Sequence, residues 1–123
     1  MAVNPYQKYK EETVRTMTGG ELLILLYDEL LKRLTAAELL VGQEKYESFE
    51  EQLEGAEKIV RHLVGTLDFQ YDISKELYRI YDFLLVELSR MKVSRRTENL
   101  DRLKSMIKDL RVAFKSAQKK VEG

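Results

Sequence analysis

Cysteine and tryptophan are missing from the 123 residues, and proline and histidine occur once each, at positions 5 and 62. Without thiols there is no disulfide framework, no thiolate-held zinc or iron–sulfur cluster and no cysteine nucleophile. Net charge is missing too, because 21 basic side chains balance 21 acidic ones. Affinity for phosphate backbones or anionic lipid comes from a net basic face, so neither nucleic acid nor a membrane surface is expected as a partner. The longest apolar block, Leu22 to Tyr27, is far short of the roughly 20 residues that cross a bilayer. No positively charged leader followed by an apolar run opens the sequence, and a cytoplasmic protein is the expectation.

Recognisable chemistry is equally scarce. Metal-binding bundles use Glu-x-x-His pairs, but His62 has Ile59 three residues earlier. Ser48, Ser74, Ser89, Ser94, Ser105 and Ser116 are scattered, none on a glycine-rich elbow, and one histidine leaves little choice of base. No glycine-rich phosphate loop occurs. The expectation is a protein with no catalytic residues, no metal and no cofactor.

What the chain does contain is helical spacing. Thr18, Gly19, Gly20 and Glu21 form a capping-box pattern ahead of the apolar block, predicting a helix from Gly19 to about Val41, with Gly42 as its left-handed terminator. Tyr46, Phe49, Leu53, Ala56, Val60, Leu63 and Leu67 recur at steps of three and four and predict a second helix over about Gln43–Thr66. Ile73, Leu77, Tyr81, Leu84, Leu88 and Met91 mark a third, capped by Asp72 and ending near Lys92. Leu100, Leu103, Ile107, Leu110, Phe114, Ala117 and Val121 mark a fourth, with Thr97 as its cap. Short connections force antiparallel neighbours. The fold expected is all-α: an antiparallel up-down-up-down four-helix bundle over 18–123, preceded by a short helical N-terminal arm over 1–17 in which Asn4 and Pro5 start a turn carrying Tyr6 and Tyr9.

The helices carry more apolar surface than one seam needs. On a helical wheel Leu23, Leu26, Tyr27, Leu30, Leu34, Ala37 and Val41 share one face, while Ile24 and Leu25 point away from it. On the third helix Tyr78, Phe83, Leu85 and Val86 lie around the flanks and rear of the stripe. Surplus apolar faces of this kind mark grooves for amphipathic helices. Ile24, Leu25, Phe83 and Val86 are therefore nominated as partner-facing, and Tyr27 and Tyr78 are counted in the partner-binding set with them. A homodimer interface on a scaffolding bundle is the alternative use of the same surface.

Several segments in order resemble one family. Asn4, Pro5, Tyr6, Gln7 and Tyr9, then Gly20 through Asp28, then Leu77, Tyr78, Tyr81, Asp82 and Phe83, and finally Leu110, Arg111, Ala113, Phe114, Lys115 and Ala117 resemble FliS, the flagellin export chaperone of bacterial flagella. Two departures accompany the likeness: Thr18-Gly19 stands where the family usually has Ser-Pro, and Phe114 where it usually has tryptophan. The resemblance implies a cytoplasmic, non-enzymatic chaperone that binds the disordered C-terminal segment of flagellin, prevents premature polymerisation and helps present it to the export gate protein FlhA. It also implies that the arm, through Tyr6 and Tyr9, covers part of the client surface until flagellin binds, and that the same positions contact the gate.

Overall fold

The computed structural model describes residues 19–122, with side chains over 21–116. The expectations placed on the arm, including Tyr6, Tyr9 and the Thr18 cap, lie outside the described residues. Among the described residues four helices follow one another: α1 Gly19–Gly42, α2 Tyr46–Gly65, α3 Asp72–Ser94 and α4 Leu100–Glu122. The periodicity located all four. Their ends moved because local turn chemistry overrode the simplest caps. Gly42 stays out of the left-handed region, which Glu44 enters instead at φ 59°, and Lys45 N–H returns to the Leu40 carbonyl. That turn delays α2 to Tyr46. Asp72 lies in the first turn of α3, and the loop before it is organised by Asp68: its carboxylate accepts from Gln70 N–H, and its carbonyl accepts from Tyr71 N–H and the Ser74 hydroxyl. The start of α4 shifts from Thr97 to Asn99, whose carbonyl takes the N–H of Leu103.

Leu30 and Leu34 of α1, Phe49, Leu53, Ala56, Val60 and Leu63 of α2, Leu84 and Leu88 of α3, and Leu100, Leu103 and Ile107 of α4 form one core. At its centre the Tyr27 and Tyr81 hydroxyls meet at 2.6 Å, with no exposure of either residue. Each phenol brings a large apolar ring inside, and the paired hydroxyls satisfy one another where water is excluded. Phe114 packs on Tyr27 with ring centroids 6.1 Å apart.

Around the bundle, α1 lies closely along α2 and α4, and α2 along α3, whereas α3 and α4 stand further apart. The tight α1–α4 seam is strapped twice. The Arg111 guanidinium grips the Asp28 carboxylate with two nitrogens, and Lys104 Nζ lies 3.1 Å from Glu38. Buried Glu57 joins α2 to α3: Lys92 Nζ sits 2.9 Å from its Oε1, in ion-pair range without hydrogen-bond alignment, while Arg61 donates to its Oε2. Arg95 ends α3 in the left-handed region at φ 61°. Its guanidinium lies 4.0 Å from the centroid of Tyr46 on α2, a contact that offsets part of the backbone cost. On the wider side, buried Glu87 accepts from Asn99 Nδ2 and Arg90 at the turn into α4.

Two stability experiments follow. Tyr27→Phe or Tyr81→Phe alone strands the partner hydroxyl in the core and should cost about 1–3 kcal/mol in urea unfolding, while the double phenylalanine variant should cost less than the sum. Burial raises the pKa of both hydroxyls above their ordinary value of 10.0. The unfolded chain therefore loses these protons first, and the stability held below pH 10 falls as pH rises beyond it; the double variant should flatten that alkaline loss. At Gly55 an added Cβ would sit 2.7 Å from Nη1 of Arg33, a flexible guanidinium that bonds Gln52 and pairs with Glu29. Gly55→Ala should be net stabilising by up to ~0.5 kcal/mol, because the gain in helix propensity of about 1 kcal/mol exceeds the loss of exposed polar contacts. A loss above ~1 kcal/mol would show that Arg33 is held fast.

Candidate partner-binding surface

The core face of α1 is filled by Leu23, Tyr27, Leu30, Leu34 and Ala37. One outward row then runs through Leu25, Glu29, Lys32, Ala36, Leu39 and Gln43 at steps of three and four. Leu25 is 52% exposed and Leu39 62%, a high exposure for leucines on a bundle helix that already has a complete core stripe. Along the C-terminal half of this face lies an open groove of about 920 Å³, lined by Leu31, Thr35, Ala36, Leu39 and Gly42 and edged by Lys32, Glu38 and Gln43. Thr35, Ala36 and Gly42 are small, so another backbone can come close between Leu31 and Leu39. Apart from its chain neighbours and the adjacent backbone of its own helix, no atom comes within 4 Å of where a Cβ at Gly42 would stand. The Glu38–Lys104 pair walls the side toward α4.

The nominated residues divide between several places. Leu25 is on the outward α1 face and Ile24 is half-buried beside it. Tyr27 requires correction: it is enclosed in the core by its hydroxyl bond to Tyr81, and cannot be presented to a partner in this arrangement. Val86 and Tyr78 are exposed on α3. Phe83 is half-buried against the core with the Arg102 guanidinium of α4 5.7 Å from its ring centroid. Ile73, placed on the core stripe by its spacing, is exposed.

α1 and α3 stand diagonally across the bundle and touch at its centre through the tyrosines. Their outward faces therefore point in opposite directions. Leu25 and Val86 are brought to two separate surfaces, and the wheel could not tell this from a single one. Sequence reasoning missed Leu31, Thr35, Ala36 and Leu39. The signal was present in the continuation of Leu25 by three- and four-residue steps to Leu39, but it reads as spare core until the neighbours are known.

His62 is exposed on α2. Among the described residues no group of three or more His, Asp or Glu side chains is placed to hold a metal ion, and no helix is long and apolar enough to cross a membrane. Burial raises the two core tyrosines, and the Asp28 carboxylate raises the Arg111 guanidinium; both effects stabilise the neutral core and the charged strap, and neither activates a group for catalysis.

Comparison with known proteins agrees with this geometry. The chain is 30% identical over 114 residues to the flagellar secretion chaperone FliS of Bacillus subtilis (strain 168), covering 93% of this chain and 86% of the relative. A solved structure described as a flagellar chaperone from bacteria superposes with a TM-score of 0.81 at 24% identity, covering 94% of this chain and 95% of that one, and so shares the fold. The family description "Flagellar protein FliS" matches residues 2–121, and with nearly the whole length matched the chain belongs to the FliS family of flagellar secretion chaperones.

Proposed function

We propose that the chain works in the cytoplasm as an export chaperone that holds the disordered C-terminal segment of flagellin, prevents its premature polymerisation and assists its delivery to FlhA at the flagellar type III export gate. The observation that carries this reading is the apolar face of α1 left without a partner among the described residues, with exposed Leu25 and Leu39 and the groove that runs from Leu31 to Gln43. An amphipathic segment that lacks its filament neighbours exposes an apolar stripe, and laying that stripe along α1 removes it from water and from other subunits. Ordering a disordered segment is costly, so an extended contact suits the task better than one small pocket. The second apolar face, around Val86 and Phe83 on α3, points the other way, and a client that used both would have to wrap around the bundle. In this reading Tyr6 and Tyr9 compete with the client for part of its surface. The role asks for binding alone and needs no catalytic group.

Leu25→Asp and Leu39→Asp should each weaken binding of a flagellin C-terminal peptide by about tenfold or more in calorimetry. Because both side chains are already more than half exposed, the thermal midpoint should move by no more than about 2 °C. Unchanged affinity in both variants would remove α1 as the client surface. A change of elution volume in the variants would indicate that a second copy of the chain had occupied the face.

A further inference from the structure

The outward face of α3 carries an apolar row along almost its whole length. Tyr78, then Leu85 with Val86, then Val93 follow at seven-residue intervals, and Tyr71 at the N-cap precedes them by one more interval. Lys75, Asp82 and Ser89 alternate with them at the same spacing. Apolar positions repeated every seven residues line up on one side of a helix and suit a second helix laid along it. Among the described residues no helix lies there. The core side of α3 is filled by Leu77, Tyr81, Leu84, Leu88 and Met91, whereas Tyr71, Tyr78 and Val86 are exposed and Val93 is 82% exposed. Phe69 meets Tyr78 edge to face at 6.1 Å, which orders that ring before any partner arrives.

Charge selects the occupant. The same face carries Asp72, Lys75, Arg79 and Asp82, two of each sign and all exposed, and none of the four has an ion-pair partner among the described residues. Farther along, Arg90 and Lys92 are already paired with Glu87 and Glu57. A strongly acidic or strongly basic partner would meet charges of its own sign here, but a helix that repeats this pattern in reverse would not. The second copy of α3 is such a helix. With a twofold axis passing beside Tyr78, Lys75 and Asp82 lie on either side of it at equal heights of about 5 Å along the helix. Two antiparallel copies then set Lys75 of each opposite Asp82 of the other. The same register lays Tyr78 beside Tyr78 and Tyr71 against Leu85 and Val86. Asp72 and Arg79 stand roughly 60° around the helix from that line, at the margin and open to water. A net charge of zero leaves no overall repulsion between the copies.

We infer that the outward face of α3 joins two copies of this chain as an antiparallel twofold pair, held by the apolar row and by two Lys75–Asp82 contacts. The outward face of α1 points the other way, so the pairing leaves both α1 grooves open.

The test is sedimentation equilibrium of the full chain without client, over a concentration series reaching about 1 mM. The native chain should associate reversibly toward twice its mass of 14.5 kDa. Lys75→Asp and Asp82→Lys each place like charges opposite one another and should weaken association at least about tenfold. The two single variants mixed together restore both contacts, and so does the double variant Lys75→Asp with Asp82→Lys; each should associate within about threefold of the native chain. Both side chains are exposed, so the thermal midpoint should hold in every variant. A native chain that stays monomeric throughout overturns the inference. Association untouched by the single changes, or not recovered in the mixture and the double variant, overturns it as well. A monomer whose affinity for a flagellin C-terminal peptide falls in the single variants also overturns it and gives the face to the client; the chaperone reading stands or falls separately, on peptide binding by the native chain.

Discussion

The hydroxyl contact between Tyr27 and Tyr81 constrains the bundle more than any single apolar contact does. Leucines in a core can trade places with modest loss, but two buried phenols 2.6 Å apart must find each other or leave a polar oxygen stranded. The pair joins helices that are diagonal in the bundle, and so sets the depth of α1 relative to α3 as well as their rotation. Once Tyr27 points inward to Tyr81, Leu25 is turned toward solvent, because two residues along a helix amount to about 200° of rotation. The apolar surface offered to a partner follows from the polar contact at the centre.

The charged contacts at the periphery act on this arrangement seam by seam. Asp28 with Arg111 and Glu38 with Lys104 close α1 against α4, and Glu57 with Lys92, together with Arg95 over Tyr46, ties α2 to α3. The α3–α4 side has the Glu87–Asn99 bond at its turn and Arg102 over Phe83, and there the backbones stand further apart. Half-buried Ile80, Phe83, Met106 and Leu110 belong to these two helices. On the proposed reading the chain meets competing requirements, since apolar faces that take up a client must not recruit the wrong one. Confining them to opposite sides, with Lys32 and Glu38 at the margin of the α1 groove, favours a long amphipathic partner over a compact hydrophobic one.

Much of this was legible in the residue spacing. The seams through Phe49, Leu53, Ala56, Val60 and Leu63, and through Leu77, Tyr81, Leu84, Leu88 and Met91, are the ones found buried, because a 3.6-residue repeat is a local property that burial of one face selects. The turns were less legible. Gly42 looked like the residue for a left-handed terminator, and Glu44 took that conformation. Asp72 looked like a cap, and Asp68 organised the loop. Several residues near a helix end can satisfy the same free backbone groups, so composition alone does not choose among them.

The number, order and apolar faces of the helices, the absence of thiol chemistry and the likeness to one chaperone family were written in the amino-acid order, since each depends on residues close together in the chain or on simple counts. Which surplus side chains are buried was decided only by tertiary packing. Tyr27 went to the core, Ile73 emerged at the end of the bundle, and Leu39 joined Leu31, Thr35, Ala36 and Gly42 around a groove. Exposure is a relation between a side chain and its neighbours on other helices, and a helical wheel contains only one helix.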